Sequence, residues 1–179
     1  RTRVHRSLAA TLIGLALLAL MSACGMNAQT TQPYTPAEGV NTNIGPTGEW
    51  VQVRNLMVLS RGDGEGFLSA SLVADQSDAL VGVTGPPIKT SGDPGAEFTA
   101  TLAKPLELTP GKLVVLTDEA ELITVKSAEL LVGGEVELTL SFANVGDQTL
   151  RVPVVDAKQP DYATITPRPA ASPSPSASN

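Results

Sequence analysis

Between residues 135 and 142 the chain alternates without exception. Val136, Leu138, Leu140 and Phe142 are apolar, and Glu135, Glu137, Thr139 and Ser141 between them are polar. Side chains of an extended strand point to opposite faces in turn, so this order makes one greasy face and one wet face. Helical geometry would scatter the same residues around its circumference. Leu150, Val152 and Val154 alternate in the same way with Thr149, Arg151 and Pro153. Residues 143–148 between the two runs hold Asn, Gly and Asp, which tolerate turn conformations, so the pair is expected to form a hairpin. Pro153 has no N–H to give to a ladder, which predicts an edge place for the second strand.

The pattern recurs upstream. Residues 97–102 place Phe98, Ala100 and Leu102 on one face, and residues 67–73, 79–83, 112–116 and 121–125 are further strand candidates. Residues 50–59 are apolar, but their alternation breaks at Arg54-Asn55; a bulge there would keep them one strand. Turn residues gather at 62–66, 85–87, 91–95 and 133–134. Many short strands at this spacing over residues 50–157 predict an all-β domain, two antiparallel sheets packed as a sandwich. No repeat of solenoid type is present.

The N-terminus reads differently. Arg1, Arg3, His5 and Arg6 precede an unbroken apolar run, LAATLIGLALLAL, and then Met21-Ser22-Ala23-Cys24. Charged, apolar and small residues in that order make a secretory signal. The run is short of the roughly 20 residues that a spanning helix needs, which argues against an uncleaved anchor. The chain opens on Arg rather than Met, and residues upstream would lengthen the charged part without altering this reading. Met21, Ser22, Ala23 and Cys24 resemble the lipobox of bacterial lipoproteins, whose peptidase recognises the first three and whose Cys thiol carries a diacylglycerol. Cys24 is therefore expected to become the lipidated first residue of the mature chain. Two acyl chains of the palmitate kind suffice for stable anchoring, at about 0.8 kcal/mol per buried CH₂.

Four segments follow: a signal over 1–23, a lipidated Cys and flexible tether over 24–49, the β domain over 50–157, and a low-complexity Pro/Ser/Ala tail over 158–179. The tether, rich in Gly, Thr, Asn, Gln and Pro, has an expected reach of roughly 25–30 Å by random-coil scaling. The end of the tail, TPRPAASPSPSASN, has too little apolar surface to offset its ordering entropy and reads as an inert extension rather than a spacer or glycosylation zone.

Composition closes several routes. One Cys cannot make an intrachain disulfide, and one Cys with one His cannot make a zinc site. Aromatics at 3% give no base-stacking platform. Loss of Arg1, Arg3 and Arg6 leaves 9 basic against 18 acidic residues, a net charge of −9, which nucleic-acid phosphates repel. No nucleic acid partner is expected, and attachment to the membrane must rest on the lipid. With His5 removed and Cys24 lipidated, no general base stands beside a nucleophile, and no Gly-x-Ser-x-Gly elbow or phosphate-cradling glycine loop occurs. Asp118, Glu119 and Glu121 read as solvated hairpin charges. Asp63 and Glu65 lie in a Gly-rich stretch without the further oxygens of a calcium loop. The tripeptide Arg61-Gly62-Asp63 reads as chance.

A resemblance joins the strand motifs. Val53-Arg54, then GFLSASL (66–72), DALVGV (78–83), GGEVELTLSF (133–142) and the hairpin over 144–155 follow one another as in the periplasmic copper chaperone family PCuAC. The likeness covers about residues 51–155. The tether and lipobox resemble the actinobacterial lipoprotein branch related to that family. The resemblance implies an immunoglobulin/cupredoxin-like antiparallel sandwich. It also implies copper held by two His and two Met, and there the chain departs. The place of the family's His-x-Met pair falls near Ala120-Glu121-Leu122, and residues 85–102 hold neither residue type. Of the methionines, Met26 and Met57 outlast the signal, one in the tether and one in a strand, where Met is a core filler. Cu(I) wants several soft donors. No metal ligand and no cofactor are therefore expected.

The expected protein is a membrane-anchored lipoprotein on the extracytoplasmic face of the cell membrane. It is not an enzyme, and its expected role is protein contact or scaffolding with an unknown envelope protein. The alternative is an extracytoplasmic copper-binding metallochaperone with non-standard ligands. A cell-wall enzyme working through carboxylates is a third reading, motivated by location only.

Overall fold

The computed structural model describes residues 38–119 and 121–165, and every regular element among them is a strand. Residues 1–37, with Met21, Ser22, Ala23 and Cys24, lie outside the described residues, as do 166–179.

β1 (Val40–Ile44) lies inside the segment read as tether. It runs antiparallel to β2 (Val51–Ser60), from Ile44 opposite Val51 to Val40 opposite Leu56. Five residues of mixed polarity give too little period to be seen in the sequence. β2 carries the expected bulge. Val51 and Val53 face the core, and then Leu56 and Val58 do, so the inward parity changes by one. Asn55 absorbs the extra residue at φ +54°, a left-handed conformation that Asn tolerates. Its side-chain oxygen accepts the Gly39 N–H at 2.9 Å, and its own N–H donates to Asn41 Oδ1 at 2.8 Å.

β2 pairs with β3 (Glu65–Ala74), which also carries two short strands, β8 (Val114–Val115) and β9 (Thr124–Lys126). The second layer centres on β10 (Glu135–Phe142), flanked by β4 (Asp78–Gly85) and β5 (Pro87–Ile88). β6 (Phe98–Thr99) and β7 (Leu106–Leu108) extend β4 on its other side. β11 (Gly146–Asp156) forms the expected hairpin with β10, Phe142 opposite Gly146.

β11 also joins the layers. Gly146 to Pro153 pair with β10, and Val154 to Asp156 then run parallel to β2. The expected all-β antiparallel sandwich is present, with this one parallel pair between named strands joining its layers. One expectation is corrected: β11 is not an edge strand. Pro153 sits at the residue where the strand passes from one partner to the other, so its missing N–H breaks no continuous ladder. Gly85-Pro86-Pro87 is likewise no reversal. Thr84 pairs with Thr139 and Pro87 with Val136, so the chain kinks yet keeps its register along β10. Gly85, at φ +148°, lets the backbones meet; a Cβ there would strike the Glu137 carbonyl.

The main core lies between the layers and includes Leu56, Leu72, Leu138, Leu140 and Phe142. Trp50 is only half-buried, beside it in the chain. A second cluster sits on the outer face of β2 and β3, where Met57, Leu59, Phe67, Leu122, Val155 and Ala157 are covered by Tyr162 and Ile165. The alternation along β2 thus finds apolar cover on both faces. Residues 158–165, read from sequence as tail, supply the outer part of that cover.

Candidate interaction site

The two layers nearly close into a barrel, and a seam lies between the β7 and β8 sides. At one point Thr101 N–H donates to the Thr124 carbonyl at 2.8 Å. At another, the turn after β7 crosses between layers and Gly111 N–H donates to the Ala74 carbonyl at 2.8 Å. Between these ties the edges stand apart. On one side, Leu116 bonds to Ala70 and Leu68 bonds to Ile123, so the intervening chain bows away from β3. On the other, residues 101–106 leave β6 and return to β7. Leu102, Pro105 and Leu106 face Leu116, Leu122 and Ile123 across a cleft of about 180 Å³, with Lys104, Glu119 and Glu121 at its rim. It adjoins a wider opening of about 690 Å³ between β7 and β8, which adds Glu107, Lys112 and Asp118. Leu113 there is 57% exposed. The ion pairs among the described residues are Lys89–Glu129, Lys126–Glu65 and Arg151–Glu135, none of which engages a charge of the seam.

The residues singled out in the sequence scatter. Asp118, Glu119 and Glu121, neighbours in the chain, are exposed or half-exposed and lie on the seam rim. Asp63 accepts the Glu65 N–H at 3.1 Å within its own turn, and Glu65 pairs with Lys126 at 2.6 Å. That contact raises the Lys126 pKa, chiefly through the hydrogen bond and then through the charge of Glu65. Arg61 is committed inward: it donates to the Ile165 carbonyl at 3.0 Å, and its guanidinium lies 6.0 Å from the Phe67 ring centroid. An adhesion tripeptide needs that arginine free.

The seam does not fit copper. Of the His-x-Met places the resemblance implies, Ala120 lies outside the described residues, and Leu122 brings a buried isobutyl group. Met57 is the one methionine among the described residues, and it is fully buried in the outer cluster. No group of three His, Cys, Asp or Glu comes together among the described residues.

Sequence reasoning missed two polar devices. Asp78, 6% exposed, accepts the N–H groups of Ala79 at 2.7 Å, Asn144 at 2.9 Å and Val145 at 3.1 Å. It fastens the β10–β11 turn to the start of β4. The Tyr162 hydroxyl donates to Glu38 Oε2 at 2.8 Å, tying together residues 124 apart in the chain. Nothing local in the sequence signals either contact.

No family model matches the chain, and no curated protein matches it. Solved structures do. The chain is similar to the copper-bound PCuAC domain from PmoF2, at 17% identity and a TM-score of 0.46, over 65% of this chain and 98% of that one. It is similar to the apo PCuAC domain from PmoF1, at 19% identity and a TM-score of 0.47, over 65% and 98%. The apo PmoF2 PCuAC domain matches at 17% identity and a TM-score of 0.43, over 64% and 95%. The likeness is one of strand arrangement, and the copper belongs to those proteins.

Proposed function

We infer that this chain is an exported lipoprotein, held at the extracytoplasmic face of the membrane through Cys24, whose β domain acts by binding another protein and not by catalysis. The observation that carries the contact role is the open seam, where an apolar floor meets a rim of charges that form no ion pairs among the described residues. A floor of Leu, Ile and Pro supplies area for binding, whereas nucleophilic chemistry needs a base, and residues 38–165 contain no His and no Cys. The anchoring rests on the order of charge, apolar run and Met21-Ser22-Ala23-Cys24 at the N-terminus.

The anchor is tested on the full chain expressed in a bacterial host. Cys24→Ala is expected to move the protein from the detergent-rich to the aqueous phase after membrane solubilisation. Intact mass of the wild type should show Cys24 as the first residue with its acyl mass. A wild-type chain with an unmodified Cys24 thiol, or a variant that still enters the detergent phase, refutes the lipoprotein reading.

A further inference from the structure

We propose that the seam between β7 and β8 binds an extended, basic-apolar segment of a partner protein, which enters as an added strand. The inference deepens the protein-contact reading and rests on it. Its shape argument is that both walls are strand edges. Among the described residues β7 pairs with β4 and β8 with β3, each on one side only. The free sides face a common opening. An edge offers backbone N–H and C=O groups to an incoming strand, and alternate side chains of that strand then point in and out. The inward set would meet Leu106 and Val114, and Leu116 and Leu122 where it reaches the adjoining cleft; the outward set would stay wet.

The charge argument selects the occupant. Glu107, Asp118 and Glu119 line the wider opening with Lys104 and Lys112, and Glu119 and Glu121 line the adjoining cleft with Lys104, so carboxylates outnumber lysines in each. An excess of carboxylates around a low-dielectric floor favours Lys or Arg flanking an apolar core in the ligand. A second copy of the chain is a poor match, because the mature sequence brings 18 acidic residues against 9 basic ones. The chain's own tail is also a poor match. Over residues 166–179, Pro167, Pro169, Pro173 and Pro175 have no N–H to give an edge, and Arg168 is the sole basic residue.

The test uses the full lipidated chain in detergent and two fluorescein-labelled peptides, KTLTLK and ETLTLE, read by anisotropy and by hydrogen exchange. KTLTLK is expected to bind saturably, at least tenfold tighter than ETLTLE. It should protect residues 104–119 from exchange. The double variant Glu119→Gln/Glu121→Gln should weaken it at least tenfold, while Glu97→Gln/Glu137→Gln, exposed acids away from the seam, should leave it unchanged. Equal affinity for the two peptides, protection elsewhere, or no saturable binding overturns the proposal. So does binding that appears only after truncation behind Ile165, which makes the tail the occupant. Self-association abolished by Glu119→Gln/Glu121→Gln would likewise give the site to a second copy. A photocrosslinking residue in place of Leu113 or of the exposed Val81 separates the two levels of the argument. Partner capture in cells from position 81 but not from 113 sinks the seam and keeps the contact role. Capture from neither position, with no peptide binding, removes both.

Discussion

Asp78 shows how much one side chain decides. Its carboxylate takes three backbone N–H groups from two parts of the chain that no local pattern connects. Removing it leaves those donors short of partners in a largely buried place. Asp78→Ala is expected to cost about 2–3 kcal/mol, and Asp78→Asn, which keeps one carbonyl oxygen, less. Urea melts that superimpose on the wild type would reject the clamp. Tyr162 is a second case. Partial burial, followed by its bond to Glu38 and the charges of Glu38 and Asp161, pushes its hydroxyl up to about 12. The folded value lies above the unfolded one near 10, so the contribution to stability is whole below pH 10 and is lost as pH rises toward 12. An absorbance titration should show one phenol ionising near 12, and Tyr162→Phe should delete that step. A Tyr162 transition near 10 would mean that the contact with Glu38 does not form.

At the scale of elements, legibility followed length. β10 was readable because its eight residues carry four full alternations, and Val136, Leu138, Leu140 and Phe142 are all buried. Leu140, 2% exposed in the main core, gives the test: Leu140→Ala is expected to cost about 2–5 kcal/mol in a denaturant melt. An unchanged midpoint would put that face in water. β3 and β4 were readable for the same reason, each longer than its predicted core by a residue or more. The candidates at 112–116 and 121–125 shrank to Val114–Val115 and Thr124–Lys126. Leu116, Leu122 and Ile123 among them are buried at the seam without pairing along their length, while Leu113 is exposed. β5 and β7, of two and three residues, hold no period to detect. They exist because β10 and β4 offer ladders beside them. The same holds for Glu129, whose pKa falls because the Ala96 N–H and then Lys89 reach it from a different loop.

For the whole molecule, the outer cluster sets the boundary of the domain. Met57, Leu59 and Phe67 would be exposed on the surface without Tyr162 and Ile165. Truncation after Ala157 is therefore expected to lower the melting temperature by roughly 4–10 °C, and truncation after Ile165 to leave it nearly unchanged. Equal melting of the two truncations would return residues 158–165 to the tail. The joint formed by β11 works at this scale too: one strand serving both layers makes a sandwich that nearly closes on that side.

The sequence by itself determined that the domain is built from strands, where the long strands run, that β2 bulges at Asn55, and which donor atoms copper would lack. Those properties follow from side-chain type at period two and from composition, both local. Tertiary structure alone decided the parallel pairing of β11 with β2, the outer cluster under residues 158–165, the buried grip of Asp78, and the meeting of Glu107 with Asp118 and Glu119 around one opening. Each of these depends on which distant edges meet in space. A linear pattern fixes which face of a strand is apolar, but not which neighbour covers it.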